Sequence, residues 1–235
     1  MCIRDSEYPR AAFDVNISGT FNVLEVCRDM GIKRLVYSSS ASVYGDAVEE
    51  PMKESHPFNN RTFYGATKIA GEAMARAFYD RYGLNYVGLR YMNVYGPRQD
   101  YKGAYIAVIM KMLEAVDRGE PLKIYGDGSQ TRSFQFVSDL VNGIWLLLMS
   151  GEVMPVNMGN PVEISIKQLA CEIRELTDNR SRLTYQPLPT GFEDDPKIRR
   201  PDTTRAREIL GWQPKVDRKE GLQETLENFK QRILP

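Results

Sequence analysis

The sequence predicts an α/β chain built on a parallel sheet with crossover helices. Three observations carry this expectation. Helix-like and strand-like segments alternate through the first hundred residues, Leu35-Val36-Tyr37 centres a short buried strand, and two strand candidates run out into polar residues. Phe13, Ile17, Phe21, Leu24 and Cys27 recur at helical spacing, and Gly31 follows as a stop. Lys33 to Ser39 reads as a strand, and a polar loop fills Gly45 to Thr62. Tyr64 to Tyr82 is a long helix closed by Gly83, and Asn85 to Met92 is the next strand. The alternation then weakens. A helix is expected over Ala104–Gly119, strands over Leu122–Tyr125 and Arg132–Phe136 with a Gly126–Ser129 turn between them, and a helix from an N-cap at Ser138 to Met149. Val156 to Pro235 holds two or three more helices, with Arg and Pro between them, and reads mostly as a smaller substrate-facing lobe. Sheets of this kind place chemistry just beyond the carboxyl ends of their strands, here Ser38-Ser39-Ser40 and Asn93-Val94-Tyr95-Gly96.

Composition narrows the function. The 235 residues are 42% apolar and 26% charged, which suits a globular chain with a real core. Lys+Arg and Asp+Glu are 31 each, so binding to nucleic acid or anionic lipid by charge alone is not expected. Apolar runs such as Ile144 to Met149 are too short to span a bilayer, and no secretory leader is expected at the start of the chain. Cys2, Cys27 and Cys171 lie far apart without a CxxC, and read as reduced thiols of a cytoplasmic protein. With His56 the one histidine, neither a zinc site nor a Ser-His-Asp set is expected. Acid–base chemistry then falls to Tyr, Lys, carboxylates or a cofactor.

The sharpest constellation is Tyr64-Gly65-Ala66-Thr67-Lys68, downstream of the serine-tipped strand. Residues four apart share a helix face, so Tyr64 and Lys68 project to one side. A phenol serving as a base near pH 7 needs its pKa lowered by ~3 units, or ~4 kcal/mol. One ammonium about 4 Å away supplies ~4 kcal/mol at an effective dielectric of 20. With 13 tyrosines the spacing alone arises by chance about as often as not, and a helix-surface pair is the competing reading. The context favours the functional one: Ser40 sits at a strand end, and a second strand ends in Arg90-Tyr91-Met92-Asn93.

At this point the sequence resembles the extended short-chain dehydrogenase/reductase family, specifically its NAD-dependent nucleotide-sugar epimerases and dehydratases. The matching stretches are NISGTFNVL (Asn16–Leu24), KRLVYSSSASVYGD (Lys33–Asp46), YGATK (Tyr64–Lys68), LRYMNVYGPR (Leu89–Arg98), IYGDGSQTRSF (Ile124–Phe134), VNMGNP (Val156–Pro161) and RRPDTTRAREILGW (Arg199–Trp212). The resemblance implies a Rossmann-like doubly wound sheet over residues 7–100 and a mixed α/β nucleotide-sugar lobe over 101–235, with some segments returning to the main sheet. It also implies roles. Ser40, Tyr64 and Lys68 are the catalytic serine, the tyrosine base and the lysine that holds the nicotinamide ribose of NAD, and Tyr91 borders the nicotinamide. Asn93 touches the sugar-nucleotide phosphates, Arg132 clamps the pyrophosphate, and Arg200 or its neighbour Arg199 supplies a second cation there. Bland readings stand beside these: Asn93 closing a turn, Arg132 on an edge strand, Arg199 and Arg200 as a surface pair. A homodimer through the helices around Asp14–Met30 and Tyr64–Tyr82 is implied as well.

Members of the family share oxidation at carbon 4 of the sugar and diverge in the later steps. Dehydratases carry Asp-Glu, and decarboxylases a Glu in the second place, where this sequence has Ala41 and Ser42. Neither moves a proton as a carboxyl group does, so 4-epimerization of a UDP-sugar is expected. The tail, with Gly126–Phe134, Asn157–Pro161 and Asp194-Asp195-Pro196, is more similar to UDP-glucuronate decarboxylases. A reading from another class is a non-catalytic nucleotide-sugar-binding module. No GxGxxG strand-to-helix turn occurs in the sequence, which sets the expectation that roughly 60–90 residues of the first βαβ units are missing, at ~30 or more per unit. The chain alone is then expected to bind NAD poorly and to be inactive.

Overall fold

The computed structural model describes residues 8–102, 107–178, 181–188 and 200–233. Cys2, Ala104, Arg199 and the Asp194-Asp195-Pro196 stretch lie outside the described residues. The chain divides into two units, one of Met1–Met92, Leu140–Pro161 and Arg200–Gln213, the other of Asn93–Asp139, Val162–Arg199 and Pro214–Pro235.

The first unit carries a parallel three-stranded sheet with Asn85–Tyr91 between Arg34–Ser38 and Val156–Met158. Ser38 pairs with Leu89, and Tyr91 with Met158, so the carboxyl ends of all three strands emerge together. Parallel strands need a long crossover, and the Phe63–Tyr82 helix supplies it. Thr62 starts this helix by accepting the Gly65 N–H at 3.1 Å, and Gly83, in the left-handed region at φ +68°, ends it. Its buried face includes Gly71, Ala75 and Phe78. A Cβ on Gly71 would overlap the Tyr37 hydroxyl, so the helix lies on the first strand at a spacing only glycine allows.

The expected N-terminal helix forms as Pro9–Phe13, a π-helical Asp14–Ser18, and Gly19–Asp29. The π turn was not legible as a pattern, and within it the Asn16 amide donates to Thr67 Oγ1 at 3.2 Å. Leu24 and Cys27 pack with Ala75, Phe78, Leu84 and Tyr86, whereas Phe13 and Phe21 of the same stripe are exposed. The Thr204–Leu210 helix also belongs to this unit and buries Ala206.

The second unit has its own core, centred on Leu113, Leu122, Ile124, Leu169, Ile173 and Leu222. Helices Val108–Asp117, Ile166–Leu176 and Arg218–Ile233 enclose it. Ser165 and Gln168 form a reciprocal capping box at the start of the second of these. Leu122–Tyr125 pairs in parallel with Leu183–Gln186. The single strand expected over Arg132–Phe136 is two. Thr131–Ser133 pairs antiparallel with Glu163–Ser165, and Gln135–Phe136 pairs in parallel with Val94–Tyr95. Phe134, which breaks the run, turns into the core edge-on to Tyr95. The next helix, Val137–Met149, starts straight from the strand, so Ser138 sits inside its first turn and is not the N-cap. No described helix is long and apolar enough to cross a membrane.

Leu24 is fully buried and Val26, two residues on, is 53% exposed. Leu24→Ala is therefore expected to cost about 2–5 kcal/mol, and Val26→Ala less than about 0.5 kcal/mol, in urea unfolding.

Candidate active site

The site is built where the first strand ends. Ser40 is extended and caps the 3-10 turn Ala41–Val43, its Oγ accepting the Ser42 N–H at 3.1 Å. Ser40 Oγ also lies 3.2 Å from Ser42 Oγ, and both residues are buried. The helix carrying Tyr64 docks on this turn. A Cβ on Gly65 would fall 2.6 Å from the Ser42 carbonyl oxygen and would overlap Asn60 Oδ1. Asn60 in turn holds Thr62, its Oδ1 accepting from the Thr62 N–H and hydroxyl at 2.9 Å each. This fixes the helix start, and with it the place of Tyr64 in the first turn.

Lys68 stands one turn later. Its Nζ lies 5.6 Å from the Tyr64 ring centroid and 5.4 Å from that of Tyr37, and donates to the Ser38 carbonyl at 2.9 Å. Burial lowers the pKa of this ammonium from its ordinary 10.5. Burial likewise raises the Tyr91 phenol, against a smaller opposing hydrogen bond with Ser38. Ser40, Tyr64, Lys68 and Tyr91 thus all stand at, or on the helix beside, the carboxyl end of one sheet.

Arg200 belongs to the same unit. Its carbonyl accepts the Met52 N–H at 2.9 Å, and its Nε is buried without a hydrogen-bond partner among the described residues. Asn93 and Arg132 lie in the second unit. Asn93 has φ +38° just before the Val94–Tyr95 strand, and its amide donates to the Ser133 carbonyl at 3.0 Å. Arg132 is half-buried on the strand beside Glu163–Ser165, with one guanidinium nitrogen donating to the Thr131 carbonyl at 2.7 Å.

Sequence reasoning missed the charged network under this site. Glu72, on the face of Tyr64 and Lys68, is buried and forked to Arg90, with Nε to Oε1 at 2.8 Å and a terminal nitrogen to Oε2 at 2.6 Å. The Ser39 hydroxyl donates to the same Oε1. Arg90 also donates to the Tyr44 hydroxyl at 3.0 Å, and Tyr44 donates to Asn157 Oδ1 at 2.5 Å. Burial pulls the Arg90 guanidinium down, but its bonds to Glu72 and Tyr44 more than offset this and it titrates above its ordinary value. Burial pushes the Tyr44 phenol up to about 12. The one available signal was the i, i+4, i+8 row of Tyr64, Lys68 and Glu72. His56 is occupied elsewhere. Its Nε2 accepts from the Val48 N–H at 2.9 Å, which leaves the proton on Nδ1, 2.8 Å from the Pro57 carbonyl.

The parallel sheet thus brings a half-buried phenol and ammonium, Tyr64 and Lys68, beside the strand end that bears Ser40. The model of the NAD dependent epimerase/dehydratase family matches residues 2–159, and the chain belongs to that family. It is 36% identical over 230 residues to UDP-glucuronic acid decarboxylase 4 of Arabidopsis thaliana, covering 96% of this chain and 51% of that protein. The chain therefore spans about half the length of this curated relative. Among solved structures it is similar to a UDP-N-acetylglucosamine 4-epimerase from Methanobrevibacter ruminantium in complex with UDP-N-acetylmuramic acid. There the TM-score is 0.94 at 31% identity, over 99% of this chain and 74% of that one. It is also similar to a UDP-glucose 4-epimerase from Thermus thermophilus in complex with NAD, with TM-score 0.83 at 30% identity, over 93% and 70% of the two chains.

Gly65→Ala forces the helix start off the Ser40–Val43 turn, because the obstructing carbonyl is backbone. It is expected to destabilise the chain by about 1–3 kcal/mol in denaturant unfolding. Lys68 titrates lower when folded than when unfolded, so its buried charge costs stability at any pH below the folded value. That cost fades as pH climbs through the folded value towards 10.5. Lys68→Met should thus melt higher than the parent at neutral pH, and the gap should narrow as pH approaches 10.5.

Proposed function

We propose that this chain is the catalytic part of an NAD-dependent UDP-sugar 4-epimerase, with Tyr64 as the base. The observation that carries the reading is the Lys68 ammonium, half-buried between the Tyr64 and Tyr37 rings and tied to Ser38, two residues before Ser40. In this reading the first unit is the remainder of a doubly wound dinucleotide-binding sheet, and the second contributes most of the nucleotide-sugar lobe.

Tyr64 accepts the proton of the carbon-4 hydroxyl, and Ser40 shares that proton through its hydroxyl. Two unit charges separated by the 5.6 Å between the Lys68 ammonium and the Tyr64 ring centroid would gain about 3 kcal/mol at an effective dielectric of 20. That is somewhat less than contact at 4 Å would give. NAD, when bound, supplies the reversible hydride acceptor. The residues present fit its nicotinamide end: an ammonium has three donors, of which the Ser38 carbonyl takes one, leaving Lys68 donors for ribose hydroxyls, with Tyr91 beside them. Asn93, Arg132 and Arg200 are assigned to the phosphates of the UDP-sugar. The turn positions Ala41 and Ser42 hold no carboxyl group, which favours return of the hydride to the other face of the sugar over loss of water or carbon dioxide. The assembly proposed for the whole protein is a homodimer through the helices around Asp14–Met30 and Tyr64–Tyr82, in the cytoplasm.

A second reading, decarboxylation of UDP-glucuronate, is favoured by the curated relative named above. The two separate in one experiment. A longer homologous chain carrying the same serine, tyrosine and lysine is incubated with NAD and either UDP-glucose or UDP-glucuronate, and followed by proton NMR and carbon dioxide release. The carbon-4 epimer is expected. Carbon dioxide with a UDP-pentose would overturn epimerization, and neither product would overturn both readings. The 235-residue chain, which contains no glycine-rich pyrophosphate turn, is expected to show no turnover, and Tyr64→Phe in the longer chain to lose at least about 100-fold in kcat.

A further inference from the structure

We propose that Glu72 is a positioning residue, whose bridge to Ser39 and Arg90 holds the two strand ends of the site against the helix that carries the proton-transfer pair. The inference rests on the function proposed above for Tyr64 and Lys68, and on a juxtaposition the mechanism does not otherwise use. Glu72 continues their helical row, two turns beyond Tyr64 and one beyond Lys68. Its carboxylate reaches across to the sheet. There it accepts from Ser39, which lies between the residue that anchors Lys68 and the residue that shares the sugar proton. It also accepts a two-pronged donation from Arg90, which precedes Tyr91 on the central strand. One side chain therefore ties three elements of the site together, and all three partners are buried: Ser39 at 0%, Glu72 at 6% and Arg90 at 3% exposure.

The geometry exceeds what packing requires. A buried ion pair contributes little net stability over an apolar pair of the same shape, and its established use is to fix register. Here the register concerned is that of the helix on the strand. The Lys68 ammonium is held by the Ser38 carbonyl, and the orientation of that carbonyl depends on the adjoining peptide, whose Ser39 side chain is fastened to Glu72. Without that bond the strand end tilts freely, and the ammonium loses a fixed acceptor while gaining water.

Glu72→Gln leaves Arg90 charged and buried beside a neutral amide and puts folding at risk, so the test uses the neutral exchange Ser39→Ala, with Ser39→Thr restoring the hydroxyl. The 235-residue chain, labelled at the lysine and tyrosine side chains, is titrated by NMR, with Lys68→Met and Tyr64→Phe giving the assignments. Ser39→Ala is expected to shift the Lys68 midpoint upward, towards that of an ordinary lysine, and Ser39→Thr to return it. The melting temperature should fall by only about 2–4 °C, the worth of one buried hydrogen bond in a chain of this size. A fall in melting temperature with the Lys68 and Tyr64 midpoints unmoved would mean a purely structural bridge and would overturn the proposal. The readout needs no turnover. A longer homologue that yields neither product removes the function while the titration still judges the bridge, and an active homologue beside an unmoved midpoint removes the bridge alone.

Discussion

Parallel pairing with Ser38 opposite Leu89 is the constraint on which the site depends. In a parallel sheet every strand points the same way, so residues that leave two neighbouring strands arrive at one edge however far apart they are in sequence. Ser40 and Tyr91 meet the edge by this rule, and the crossover between their strands must pass back along the sheet. The helix that makes the return brings its first turn to the same edge, where Tyr64 stands. Two glycines set how close it comes: Gly71 against the Tyr37 hydroxyl and Gly65 against the Ser42 carbonyl. A side chain at either position would lift the phenol away from the strand ends.

Burial then sets the electrostatics. The same close approach that places Lys68 between two aromatic rings strips water from its ammonium, and the lowered pKa is the result. A few residues away the helix and the sheet bury a carboxylate and a guanidinium, which meet in a two-pronged ion pair. Polar groups in this unit are not dispersed. They form one chain of contacts from Ser39 through Glu72, Arg90 and Tyr44 to Asn157, whose amide also holds the Met52 carbonyl at 2.9 Å.

Much of this was legible in the sequence, and the parts that were not share a physical cause. The helix at Phe63–Tyr82 and the strands at Arg34–Ser38 and Asn85–Tyr91 are marked by local apolar runs and a closing glycine, and the Tyr64–Lys68 face comes from helical spacing. Features that depend on distant partners were invisible. Glu72 reads as one more surface carboxylate until Arg90 lies opposite it. The run from Arg132 to Phe136 reads as a single strand because nothing local shows that its two halves pair with different partners. Ser138 has the right chemistry for a cap and loses the place because the strand before it runs straight into the helix.

The π turn at Asp14–Ser18 gives the first helix a further property. A turn of this kind holds one residue more than an α turn, and here the surplus brings Asn16 to Thr67. Deleting any one residue of the five would restore an unbroken α ladder from Pro9 to Asp29, and would swing Pro9–Phe13 around the axis by roughly 100° relative to Gly19–Asp29. Swaps within the turn leave that phase alone. Its message is carried in the count of residues more than in their kind.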